Sequence, residues 1–408
     1  MIAVLLAIAV TTLAGAAVAR TIDADAPIGL WYLYGCGVMT LVLQVLPWSR
    51  ALVIAIAVLS IAALTIRRRA VRPRLRLSPV DAGTLLVLAV FGVFATIKAL
   101  WEWDAWAIWA LKGRVFFEHA GVDWRFLEAD VNAFAHPDYP LFMPINLALP
   151  SVVAGVWDDR WLGIIVVAIL LSASLAVREI TARDFSPHIS ASIALSLVAL
   201  GSSRYVGTAE TALIALAVAA LAFLRAGEWR HAAILLGLAA TTKNEGMALL
   251  VAVVVGLLMT RLARNIVRLW PALAIAAPWL ILRALHRVST DVVAGPVLGR
   301  LTQHLAESSA IVRLLVIHSD PRFLWIAIIA ALLVTFRRER LLFTIVAVQC
   351  AICVSAYFLT PYDAAWHVST SWDRVSRQIA AMAAYAALVA LAEVSFAPRK
   401  RGEGAEGG

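Results

Sequence analysis

The sequence predicts an all-α, polytopic membrane protein with about 12–13 transmembrane helices. Three observations predict it. The 408-residue chain is 62% hydrophobic and only 15% charged, with a mean hydropathy of +0.87, whereas soluble domains are about 45–50% apolar. The apolar excess falls in blocks of roughly 15–20 residues, long enough to cross a bilayer as helices, which satisfy their own backbone hydrogen bonds in lipid. The net charge of +9 is carried largely by arginines gathered in the short stretches between blocks. There they set topology and meet anionic headgroups, so membrane lipids rather than nucleic acid are the expected partners of this charge.

Residues 2–19 are apolar and end in AGAAVAR. The Ala-x-Ala pattern hints at a signal peptide, but no positive charge precedes the run and Arg20 follows it, so it reads as a span with its N-terminus outside. Spans at 28–47 and 50–66 lead to RRRAVRPRLR, residues 67–76, whose six arginines mark the inner side. The span at 80–99 then runs outward, and 101–160 becomes an outer loop. Spans at 161–177 and 188–203 flank an inner REITARDFSPH, and RYVGTAE lies outside. Span 209–225 ends in an inner RAGEWRH. Two short apolar pieces, 231–242 and 246–260, meet at an outer Lys243-Asn244-Glu245-Gly246, and RLARNIVR returns inside. Span 270–286 leads to a second outer loop, 287–321. Spans 322–336 and 341–358 flank an inner RRER, TPYDAAWHVSTSWDRVSRQ is a last outer loop, and span 376–393 ends the membrane part. The chain thus divides into N-terminal spans with a basic loop (1–79), a core (80–395) and a tail (396–408) rich in glycine and charge, which reads as disordered.

This topology puts four polar stretches on one outer side: the 101–160 loop, the Arg204–Glu210 turn, the Lys243–Gly246 break and the loop before the last span. The first, counted through Trp161, holds seven of the fifteen tryptophans. Helical spacing there places Trp103, Trp106, Ala110, Gly113 and Phe117 on one face, suited either to an interfacial anchor or to a binding surface. Asp104 sits at a span end, where a carboxylate can take a proton from an attacking hydroxyl; Lys112 follows in the same stretch. His136-Pro137-Asp138-Tyr139-Pro140 is a proline-fixed turn, either a plain helix entry or a binding element carrying His136 and Asp138. Glu210 opens a span, where an acid complements the helix dipole in any case. Lys243 and Glu245 interrupt an apolar hairpin, where ionisable groups need a function or each other. Arg374, after His367 and at headgroup depth, can fork onto a phosphate or simply snorkel. Cys36, Cys350 and Cys353 lie in apolar runs. The C-x-x-C at 350–353 lacks partner ligands nearby and reads as packing.

At these residues the chain resembles the C-fold (GT-C) membrane glycosyltransferases, a superfamily that includes the protein O-mannosyltransferases and the aminoarabinose transferases of lipid A. Asp104 matches the acid of the first outer loop of the core. HPDYPL is similar to the His- or Lys-Pro-Pro-Leu segment of a membrane-parallel helix, with Asp138-Tyr139 interrupting the prolines. Glu210 matches the acid that opens a later span, Thr242–Gly246 resembles a Thr-Lys-Gly break with two residues inserted, and Arg374 matches a late arginine before a span. The resemblance covers residues 80–395, with the first three spans additional to the usual core.

It implies an inverting transferase using a polyprenyl-phosphate sugar. The topology agrees, because nucleotide sugars are cytosolic and an outward site needs a lipid-carried donor. Asp104 is then the base. Lys243 and Arg374, with Arg204 or His367, neutralise the departing phosphate, and Trp103 and Trp106 stack on sugar faces. His136, Asp138, Lys112, Glu210 and Glu245 complete the expected substrate site. The expected location is the inner (plasma) membrane with an extracytoplasmic active site. The acceptor is a glycan, a lipid or a protein. No Asp-x-Asp or Glu-Asp pair flanks Asp104, which leaves a divalent metal ion open as a cofactor. A lipid or sugar flippase is the alternative, although transporters place ionisable groups near the midplane within inverted repeats. A non-catalytic assembly protein is the third.

Overall fold

The apolar runs are rich in alanine and leucine, strong helix formers, and uniformly apolar sequence in lipid has helix as its open solution. The computed structural model describes residues 1–66, 76–97, 100–203, 205–288, 297–319, 325, 328–329 and 336–396. Among the described residues every regular element is helical. In chain order the α-helices are α1 (Ile2–Ile22), α2 (Leu30–Leu43), α3 (Arg50–Ile66), α4 (Pro79–Ile97), α5 (Leu111–His119), α6 (Trp124–Glu128), α7 (Phe142–Ala154), α8 (Gly163–Thr181) and α9 (Pro187–Gly201). They continue as α10 (Ala209–Arg225), α11 (Trp229–Ala240), α12 (Asn244–Met259), α13 (Trp270–Leu285), α14 (Val297–Ala306), α15 (Ser308–His318), α16 (Arg340–Leu359) and α17 (Ala364–Phe396). Among the described residues six segments are long and apolar enough to cross a membrane: Ile2–Ile22, Pro79–Ile97, Gly163–Thr181, Ala263–Leu285, Arg340–Leu359 and Ala364–Val394. The chain is an all-α polytopic membrane protein. Most of the expected span at 322–336, the arginine run at 67–75, Arg204 and the tail beyond 396 lie outside the described residues.

The axis of the bundle is α10, in which every residue from Ala209 to Leu224 is buried. Its alanines let α8, α9, α11 and α17 approach closely, the usual basis of helix packing in lipid. The α1–α2 pair uses the same device. A Cβ on Gly15 would lie 1.7 Å from the Trp31 carbonyl oxygen, and one on Gly35 would lie 1.8 Å from that of Thr11. These two glycines bring the helices together where no larger residue fits.

Polar contacts gather at two poles. At one, Arg178 pairs with Asp81 (3.0 Å) and donates to the Ser190 hydroxyl (2.7 Å). Arg225 reaches Asp184 (2.8 Å), Glu339 (2.7 Å) and Glu393 (2.5 Å), and Arg183 pairs with Glu228. Every segment in these contacts was expected on the inner side, and the ion pairs hold the ends of α4, α8, α10, α16 and α17 in register. The opposite pole carries the stretches expected outside.

The ends of the expected spans differ from those of the matching helices by about four residues or fewer, within ordinary fraying. The expected loops differ more: 101–160 holds α5, α6 and the buried α7, and three other stretches depart as well. The stretch TPYDAAWHVSTSWDRVSRQ is not an outer loop throughout: α17 begins at Ala364 and runs 33 residues without a break. It contains neither glycine nor proline, and Asp363 caps it by accepting from the Trp366 amide (2.7 Å). The 287–321 loop likewise holds α14 and α15. The basic stretch Ala263–Leu269 is a 3₁₀ segment that feeds directly into α13 rather than an open loop.

Candidate active site

The outer-loop stretch begins as a π-helix, Asp104–Ala110, which continues into α5. The wider π turn changes the angular spacing, so the expected single face is wrong. Trp103 and Trp106 are exposed and meet edge to face at 4.8 Å, whereas Ala110 and Gly113 are buried. Trp109 is fully buried and stacks on Tyr139 at 5.5 Å. π segments are uncommon and recur at functional sites. This one puts Asp104 at its first residue, half-buried between two exposed indoles.

Four distant stretches then close on one another. Arg374, in the third turn of α17, pairs with Asp104, and its Nη1 lies 3.9 Å from Glu210 Oε1. Glu210 is in the first turn of α10, at the favourable end of the helix dipole. The same oxygen accepts from Lys243 Nζ at 2.9 Å, and Lys243 reaches Glu245 at 2.9 Å. Asp104, Arg374, Glu210, Lys243 and Glu245 thus form a line of alternating charge at one pole. The line is closed in its middle, where Lys243 and Glu210 are 7% and 3% exposed, and reaches the surface at its ends, most at Asp104 (23%), beside Arg374 (13%), and less at Glu245 (18%). Lys243 sits in an extended residue between α11 and α12. That turn is tight: a Cβ on Gly246 would lie 1.9 Å from the Ala239 carbonyl oxygen. The α11 helix has 12 residues, about 18 Å at helical rise, so the break is recessed within the bundle.

Behind the line lies a second layer. Lys112 is fully buried, donates to the His136 carbonyl (2.9 Å) and lies 5.0 Å from the Trp109 ring centre and 5.7 Å from that of Tyr139. It holds His136 in a left-handed conformation (φ 46°), a strained state for a non-glycine residue that tends to mark functional sites. His136 stacks on Tyr139 at 4.7 Å. Asn244 donates to Asp138 (3.1 Å), and the Phe142 amide donates to the Thr241 carbonyl (3.0 Å). The HPDYPL turn is therefore tied to the Lys243 break, and the Tyr139 ring lies 5.7 Å from Lys243 as well.

Burial pushes the Lys112 ammonium down to about 7, against the attraction of Asp138. The unfolded lysine titrates near about 10.4. Between those values the unfolded chain binds more protons, so stability rises with pH from about 7 to about 10. Thermal midpoints of the detergent-solubilised protein should therefore rise over that range relative to Lys112→Met. Parallel pH profiles for the two proteins would mean that Lys112 stays charged in the fold.

Of the residues expected from sequence, Asp104, Arg374, Glu210, Lys243 and Glu245 meet in one line, and Lys112, His136 and Asp138 form the layer behind it. Trp103 and Trp106 make an exposed rim. His367 does not join the line: it hydrogen-bonds Thr360 (2.8 Å) and packs on Tyr357 at 4.8 Å. Arg204 falls outside the described residues. Several contributors were not anticipated. Tyr205 donates to Asp373 while its ring lies 5.7 Å from the Arg374 guanidinium. Gln349 donates to the Glu245 carbonyl (3.0 Å), and a lone amide inside the apolar run of α16 was a usable signal. Among the described residues, no group of three or more His, Cys, Asp or Glu side chains is arranged to hold a metal ion. The acids here alternate with cations instead. Cys350 and Cys353 carry free thiols. Compared with known proteins, the chain matches no family model, no curated protein and no solved structure.

Proposed function

We propose that this protein is an integral membrane glycosyltransferase of the GT-C kind, moving a sugar from a polyprenyl-phosphate donor to an acceptor hydroxyl on the extracytoplasmic face of the inner (plasma) membrane. One observation carries the reading. Acids and bases from four stretches up to 270 residues apart, each singled out by the resemblance, meet as one charged recess that is most open at Asp104. A purely structural set of ion pairs has no need of a half-exposed acid between exposed indoles.

In the reaction, the acceptor oxygen attacks the anomeric carbon as the bond from that carbon to the phosphate oxygen breaks. The acceptor proton passes to Asp104, and the electron pair leaves with the polyprenyl phosphate. The configuration inverts. Arg374 faces the leaving phosphate with a planar fork suited to it. Lys243 contributes its charge from behind, through Glu210, rather than by direct contact. Preorganised charge of this kind is often the largest part of rate acceleration. Trp103 and Trp106 present apolar faces to the sugar at the rim.

The test is release of labelled sugar from a polyprenyl-phosphate sugar by the purified protein in nanodiscs supplied with membrane extract as acceptor source. Cleavage with transfer is expected. Movement of the lipid across a vesicle bilayer without cleavage would make the protein a flippase. If neither cleavage nor movement occurs, the protein is a non-catalytic scaffold.

A further inference from the structure

The charged line holds three carboxylates and two cations, a formal sum of −1. Each of its cations already faces a carboxylate. A phosphate can therefore enter only by taking a cation from an acid. Lys243 is a poor candidate, since it is held at 2.9 Å by both Glu210 and Glu245 and is almost fully enclosed. Arg374 is the better one. Its pairing with Asp104 is the most exposed contact of the line, the line's other carboxylate beside it, Glu210, is 3.9 Å away, and neighbouring Asp373 accepts from Tyr205. The guanidinium is also held independently of Asp104: Nη2 donates to the Thr370 carbonyl (3.2 Å), and the Tyr205 ring lies 5.7 Å from it. It can stay in place while one anion replaces another.

We propose that Asp104 is a resident counter-ion of Arg374 that the donor phosphate displaces. Seating the donor then releases the carboxylate that must face the acceptor hydroxyl, so the donor binds first and the base is masked until it has. The inference rests on the transferase reading and adds an order to it. The group recognised is a phosphate ester, carried by a polyprenyl lipid.

The exchange predicts that removing the competing charge strengthens phosphate binding even as it abolishes transfer. Polyprenyl phosphate should bind folded Asp104→Asn in nanodiscs about tenfold more tightly than wild type, the effect of one charged hydrogen bond no longer having to be broken. Arg374→Met should bind weakly whether or not Asp104 is present. In the wild type, carbodiimide coupling of a labelled amine to Asp104, read by mass spectrometry, should rise when polyprenyl phosphate is added; this readout does not depend on any variant folding. Inorganic phosphate and phosphatidylglycerol nanodiscs are the comparison arms. The same tightening with inorganic phosphate supports exchange by the phosphate alone, and tightening only toward phosphatidylglycerol overturns the donor assignment. Wild-type binding with equal or weaker binding by Asp104→Asn, or Asp104 coupling that falls on adding the lipid, overturns the exchange and leaves the transferase reading intact. Absence of polyprenyl phosphate binding to the wild type overturns both.

Discussion

Replacing Asp104 with asparagine should cut sugar transfer about 10²–10⁴-fold, the usual contribution of a positioned base, while leaving the protein folded. The side chain is half-buried at the more open end of the charged line, and Arg374 keeps Glu210, Thr370 and Tyr205 around it when Asp104 is neutralised. The loss should therefore appear in turnover, while donor binding tightens rather than falls. Asp104→Glu should recover part of the rate, because the longer carboxylate still reaches solvent beside Trp103 and Trp106. Near-normal transfer by a folded Asp104→Asn protein, measured with labelled polyprenyl-phosphate sugar, would remove Asp104 from the role of base.

Lys243→Met should act on the fold. Lys243 neutralises two carboxylates at 2.9 Å each, and Glu210 is almost fully buried. Breaking a buried ion pair by removing one partner costs about 3–5 kcal/mol, a large part of the 5–15 kcal/mol or so that holds a typical domain together. The variant should show a lowered unfolding midpoint and reduced yield as monodisperse protein. The companion Lys243→Met, Glu210→Gln, Glu245→Gln protein should recover stability without recovering turnover, since replacing all the charges removes the orphaned acids but not the need for them. Full stability in Lys243→Met alone would mean that Glu210 takes up a proton, or is served by Arg374. This expectation differs from a plain phosphate-binding role for Lys243, which would leave stability unchanged.

The two experiments separate positions that look alike in one dimension. Asp104 and Lys243 are both single charges beside apolar runs. Asp104 lies where the line opens, so its removal is felt in chemistry; Lys243 lies where the line is closed, so its removal is felt first in the fold. The difference is one of dielectric surroundings and of the number of partners each group must satisfy.

The sequence by itself determined the helical class, the ends of most of the spans, and the sorting of polar stretches into two poles. These follow from local quantities: apolar block length, arginine placement and turn composition. It also pointed to the residues that meet in the charged recess, because an ionisable group beside a span has few uses other than pairing or function. Tertiary structure alone decided who pairs with whom. Periodicity records that a helix face is polar or apolar, not which helix lies opposite, so Arg374 facing Asp104 and Glu210, with Lys243 held between Glu210 and Glu245, could not be read from spacing. The π turn at Asp104–Ala110 exposes Trp103 and Trp106 yet buries Trp109, and the unbroken α17 carries Arg374 on a helix rather than a loop. The first breaks the 3.6-residue period on which face assignments rest. The second depends on a cap at Asp363 and on packing against neighbouring helices, which is where most helical stability resides.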